Sequence, residues 1–182
     1  MLDGNAAYIP SSYESIATAT GTGSNTTITF SSIPSTYSSL QFRIIARDTS
    51  TGGGNINLRY TINSDSGFNY TDHWLRGDGT AAAAGGYAGN DRAVVRNVLT
   101  ESSGSNTTIY GVAILDFHDY ASTAKYKTVR NFAGNDKNGS GYIYVSSNLW
   151  MSTSAISSIT FTADGSAFAT GSQIALYGIK GA

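Results

Sequence analysis

The segment 107–134, TTIYGVAILDFHDYASTAKYKTVRNFAG, constrains the fold more than any other. It holds the longest apolar run of the chain, Ile109 to Leu115, then a polar passage over 116–123, then a second strand-like run over 125–132. Drawn as a strand, Ile109, Gly111, Ala113, Leu115 and Phe117 point to one side. Tyr110, Val112, Ile114, Asp116 and His118 point to the other. Both sides are largely apolar as far as Leu115. Such a strand needs cover on both faces, so it sits mid-sheet or beneath a second layer. A buried helix would carry the same short run, but Thr107, Thr108, Ile109, Val112 and Ile114 are β-branched and Gly111 lies within it, which favours a strand. The segment reads as the central hairpin of a β-sandwich.

The rest of the chain follows the same period. Leu40, Phe42, Ile44 and Ala46 alternate with Gln41, Arg43 and Arg47, and Ile45 is the one exception. Ile56, Leu58, Tyr60 and Ile62 alternate with Asn57, Arg59, Thr61 and Asn63. Further strands are expected over 13–20, 26–30, 68–75, 92–99, 142–150, 156–162 and 173–179, separated by Gly, Asn and Ser turns. The stretch 77–91, GDGTAAAAGGYAGND, reads as a long loop, because the alanine run 81–84 favours a helix and Gly77, Gly79, Gly85 and Gly86 oppose one. About eleven short strands with no convincing helix predict an all-β fold, an antiparallel sandwich or barrel. Residues 1–12 are expected to form an N-terminal arm and 13–182 a single domain; 182 residues bury roughly 70% of their unfolded surface. The phrase GSNTTI occurs at Gly23 and again at Gly104; similar turns select similar residues, which explains the echo without a duplication.

Charge excludes several functions. The net charge is −1 and 13% of residues are charged, against about 25% in an ordinary domain. The eleven Lys and Arg residues are scattered, so no basic stripe for nucleic acid is expected. No cysteine is present, hence no disulfide framework and no thiolate site. No window approaches about 18 apolar residues, so no membrane span is expected, and the first ten residues lack the pattern of a signal peptide. No cofactor motif occurs: Gly52–Gly54 lacks the Lys-Ser/Thr and the helix of a phosphate loop.

Titratable clusters are few. Asp116, His118 and Asp119 place a carboxylate and an imidazole on one strand face, yet no G-x-S-x-G elbow accompanies them. A hydrolase would need a paired acid and base, and Asp116 with Asp72 or Asp119 is the only pair on offer. Polar residues at a strand end that cap backbone groups are the simpler reading. Asp164-Gly-Ser166, Asp136-Lys-Asn138 and Asn63-Ser-Asp65 are fragments of calcium loops without the required spacing, and no metal site is assigned. The segment Tyr70-Thr-Asp-His-Trp-Leu-Arg76 offers aromatics among polar neighbours, as sugar-binding surfaces do. Tyr70, His73, Trp74 and Tyr87 are the expected glycan or partner contacts, set against a plain core role for Tyr70 and Trp74.

Several phrases, taken in order, carry a resemblance. They are Tyr13-Glu-Ser-Ile-Ala17, Ser31-Ser-Ile-Pro-Ser-Thr-Tyr37, Leu115-Asp-Phe-His-Asp-Tyr-Ala121 and Lys125-Tyr-Lys-Thr-Val-Arg130. Asn138-Gly-Ser-Gly141, Leu149-Trp-Met-Ser-Thr-Ser-Ala-Ile156 and Ala175-Leu-Tyr-Gly-Ile-Lys-Gly181 follow. Together they resemble small structural proteins of tailed bacteriophages, marine and cyanobacterial ones especially. The resemblance implies a non-enzymatic virion protein with a jelly-roll-like fold, assembled in the host cytoplasm. It implies a capsid decoration (cement) protein, commonly a trimer, whose partners are further copies of itself and the major capsid protein. A tail-fibre or tail-tip module binding a host receptor or glycan is the alternative.

Overall fold

A computed structural model of the chain describes residues 12–52, 54–100 and 108–181. The described residues form twelve strands and no α-helix, one strand more than the sequence suggests. They are β1 (Tyr13–Thr20), β2 (Thr27–Phe30), β3 (Ser39–Ala46), β4 (Asn55–Ile62), β5 (Tyr70–Gly77) and β6 (Ala82–Asn90). After them come β7 (Ala93–Thr100), β8 (Gly111–His118), β9 (Lys127–Asp136), β10 (Gly141–Trp150), β11 (Ile159–Ala163) and β12 (Gln173–Ile179). The N-terminal arm expected over 1–12 lies outside the described residues except for Ser12. The turn at 101–106 and the second GSNTTI phrase as far as Thr107 lie outside them too.

The strands build a β-sandwich of two antiparallel sheets. The larger has the order β1-β12-β3-β8-β9-β10-β5-β6, the smaller β2-β11-β4-β7. Eight strands alternate between the sheets along the chain: β1, β3, β8 and β12 in one, β2, β4, β7 and β11 in the other. The hairpins β5–β6 and β9–β10 stay on the large sheet and widen it beyond β8.

Between the sheets lies the core. On β3, Leu40, Phe42, Ile44 and Ala46 are buried as their alternation predicts. Phe42 is its hub, with ring centroids 4.9 Å from Phe161, 5.3 Å from Phe30 and 5.6 Å from Phe117, all edge-on. Edge-to-face pairs of this kind add about 0.5–1.5 kcal/mol each beyond area burial. Tyr60 joins the cluster, and its hydroxyl donates to Asn148 Oδ1 at 3.1 Å.

Two expectations need correction. The loop expected over 77–91 contains β6, an edge strand of nine residues. Gly85 and Gly86 are there for space rather than flexibility. Gly85 pairs with Trp74 and Gly86 with His73. A side chain at Gly85 would begin 2.6 Å from the Trp74 ring, and one at Gly86 2.6 Å from the His73 ring. The second correction concerns β8, expected to be covered on both faces. Gly111, Ala113, Leu115 and Phe117 are buried, but Val112 is 54% and Ile114 41% exposed. The small sheet covers one face of β8, and among the described residues nothing covers the other.

Gly111 marks the tightest approach of the two sheets. A Cβ there would lie 1.7 Å from the Val98 carbonyl oxygen of β7. Backbone gives way less readily than a side chain, so Gly111→Ala is expected to cost about 3 kcal/mol, the upper end for overpacking. Urea denaturation measures this, and an unshifted midpoint would rule out the close approach.

Candidate interaction surface

The four expected contact residues separate into three places. Tyr70 is fully buried. Its hydroxyl accepts from the Ile62 N–H and donates to the Asp65 carbonyl, both at 3.0 Å, and burial pushes its pKa up to about 12. It is a core residue and not a surface contact. His73 lies exposed on the outer face of the large sheet, across Gly86. Trp74 and Tyr87 lie on the inner face, where β5 and β6 extend past the small sheet.

What holds Trp74 and Tyr87 is Arg96 from β7. Its guanidinium carbon stands 5.4 Å from the Trp74 ring centroid and 4.9 Å from that of Tyr87. Asp72 anchors it: Arg96 Nη2 and Nε donate to Asp72 Oδ2 at 2.7 and 3.0 Å, and Asn90 Nδ2 donates to Oδ1 at 3.3 Å. The Asp72 side chain is only 2% exposed. Arg76 lies over Trp74 and Tyr142, and hydrogen bonding to Tyr144 raises its pKa above the usual value. Arginines thus occupy ring faces that a sugar would need, although Tyr87 keeps 58% of its surface exposed.

The polar cluster of β8 does not assemble a hydrolytic site. Asp116 lies on the outer face, where its Oδ1 accepts from Gln41 Nε2 at 2.9 Å. Asp72 is on the inner face, so these two carboxylates share no cleft. Asp119 sits in the following turn, bonded to Lys125 at 2.6 Å; the lysine holds its pKa below the usual carboxylate value. His118 does meet a serine, Ser39, whose Oγ is 3.3 Å from Nδ1. Its other nitrogen, Nε2, is 2.9 Å from Arg130 Nη2. A guanidinium only donates, so in the neutral ring Nε2 accepts and the proton sits on Nδ1. The imidazole then donates toward Ser39, the reverse of what a general base does.

The calcium-like fragments serve their own turns. Asp164 pairs with Arg59 at 2.7 Å, Asp136 accepts from the Asn138 N–H, and Asp65 accepts from the Gly67 N–H and from Trp150 Nε1. Among the described residues no three His, Asp or Glu side chains converge as metal ligands.

The outer face of the large sheet carries a feature that sequence reading missed. Strand register sets its side chains in rows across the strands. One row runs Arg43, Ile114, Phe132, Val145, Leu75, Ala84. The next runs Ile45, Val112, Gly134, Ile143, Gly77, Ala82. The large apolar members of these rows are 41–56% exposed. A polar row, Gln41, Asp116, Arg130, Ser147, His73, Gly86, borders them. Gly134 contributes no side chain, which leaves a trough of about 690 Å³ between Val112 and Ile143, walled by Phe132 and Tyr110. Seven half-exposed apolar side chains present roughly 700 Å², above the about 300–600 Å² of the largest patch on an ordinary monomer.

One signal for this band was available. Ile45, the exception to alternation on β3, pairs with Val112 and belongs to it. No protein-family model matches the chain, and no curated protein or solved structure shows significant similarity to it.

Proposed function

We propose that this chain is a non-enzymatic structural protein of a tailed-phage virion, a capsid decoration or cement protein that stabilises the shell as a homo-oligomer against the major capsid protein. The observation that carries the reading is the apolar band across β3, β8, β9, β10 and β5. A face of this size and composition is unfavourable in water and suits a protein partner. The strand order supports it. We read the eight alternating strands as a jelly roll, the double-sheet arrangement that virion proteins commonly use. The hairpins β5–β6 and β9–β10 are additions to that plan, and they carry Leu75, Phe132, Ile143 and Val145 of the band. The additions thus extend an apolar face that begins with Ile45 on β3 and with Val112 and Ile114 on β8.

Copy number per purified particle tests the proposal. Quantitative mass spectrometry is expected to find the chain in numbers comparable with the capsid subunits. Its absence from particles would overturn the reading. A handful of copies at the tail would favour the second reading, a receptor- or glycan-binding tail module. The exposure of Tyr87 beside Trp74 supports that alternative, and glycan-array binding lost in Trp74→Ala would establish it.

A further inference from the structure

We infer that the outer face of the large sheet is a contact between two copies of this chain, related by a two-fold axis that runs parallel to the strands midway between β8 and β9. The inference deepens the proposed role and rests on it only in treating the band as a contact surface; the choice of partner comes from the face itself.

A two-fold parallel to the strands keeps each row opposite the same row and reverses the order of the strands. With the axis between β8 and β9, each residue meets the cross-strand neighbour of its equivalent. The register makes those neighbours Asp116 with Arg130, Ile114 with Phe132, and Val112 with Gly134. Asp116 of one copy therefore faces Arg130 of the other, and the reverse pair forms by symmetry. Ile114 packs on Phe132. Val112, the knob of the row, faces the trough that Gly134 leaves open. One strand further out, Ile45 of β3 faces Ile143 of β10. Charge, apolar surface and shape are complementary under one operation, as an isologous interface requires.

Neighbouring positions of the axis fail on charge. Centred on β8 it would set Asp116 against Asp116, and centred on β9, Arg130 against Arg130. Arg43, which falls in an apolar row, is drawn aside: its guanidinium stacks over Tyr177 and Tyr13, 5.0 and 5.5 Å from their centroids, and its Nε donates to Gln41. The exposed band offers roughly 700 Å² per copy, near the about 800 Å² that each member of a specific complex contributes. Sheets packed face to face rotate by about 30°, so the match is closest at the centre, where Asp116, Arg130, Ile114 and Phe132 lie.

Sedimentation equilibrium of the full chain tests the pairing. The wild type is expected at twice the chain mass. Arg130→Asp and Asp116→Arg are each expected to weaken association at least tenfold, because each sets like charges face to face. The double variant, Asp116→Arg with Arg130→Asp, is expected to recover it. All four residues at the centre are surface-facing, so circular dichroism should report an unchanged fold. Asp116 and Arg130 are also neighbours within one chain, so urea midpoints of the single variants, expected to stay close to that of the wild type, separate lost contact from lost folding. A monomer or a trimer at all concentrations, or single variants that associate like the wild type, would overturn the inference. Chains that decorate particles yet sediment as monomers would sink the pairing and leave the virion role standing. Dimers absent from particles would do the opposite.

Discussion

Phe42→Ala is expected to destabilise the protein by about 3–5 kcal/mol, the range for truncating a fully buried aromatic. For a chain of this length that corresponds to a fall in melting temperature of roughly 6–20 °C. Three rings close on Phe42 from three strands, Phe30 of β2, Phe161 of β11 and Phe117 of β8, so the substitution loosens both sheets at once. Its neighbours cannot collapse easily into the space, because each is fixed by its own strand pairing. The control is three residues along β3. Ile45 is 44% exposed on the opposite face, and Ile45→Ala is expected to change the stability of the monomer by about 0.5 kcal/mol or less. Urea midpoints for the two variants give the comparison directly. A lower midpoint for Ile45→Ala than for Phe42→Ala would mean that the faces of β3 have been assigned the wrong way round.

That contrast also shows what the sequence could reveal. The alternation of Leu40, Phe42, Ile44 and Ala46 is local, and one period of two residues is enough to place it in the core. The exposed isoleucine at 45 broke the same local rule, and its meaning depended on Val112, sixty-seven positions away and paired with it only in the folded sheet. The apolar run at 109–115 was legible as a strand, yet its second face, with Val112 and Ile114, stays half exposed among the described residues. The misreading of 77–91 had a similar cause. Alanine and glycine carry little strand propensity, and the reason for Gly85 and Gly86 lies in the rings of Trp74 and His73 on the adjacent strand. Tyr70 and Trp74 share a face of β5, but Tyr70 is covered by the small sheet and Trp74 lies past its edge. Where a covering sheet ends is not written in either strand. Arg96 and Asp72 stand twenty-four residues apart with no motif linking them, so the cluster that orients Trp74 and Tyr87 became visible only in three dimensions.

Asp72→Ala is expected to cost about 3 kcal/mol, because it removes one member of a buried ion pair and leaves the other charge without its partner. Arg96 retains 18% of its side-chain exposure, so water recovers part of the loss and the effect falls at the low end of the about 3–5 kcal/mol for such truncations. Arg96→Met is expected to cost more, about 3–5 kcal/mol, since it strands the nearly fully buried Asp72 carboxylate with only the Asn90 hydrogen bond. The asymmetry is the diagnostic point: the carboxylate is almost wholly out of water, while the guanidinium has two ring faces to rest on. In the double variant the two costs should fall well short of additive, as they do for groups in direct contact. Fluorescence supplies an independent reading. Without Asp72 the guanidinium is no longer held over the indole, so Trp74 emission should shift to the red. Trp150, bonded through Nε1 to Asp65 and buried at 2% exposure, should contribute a constant background. A cost below about 1 kcal/mol for Asp72→Ala with unchanged emission would mean that Arg96 is positioned by the rings alone, and that the carboxylate is incidental to the inner-face cluster.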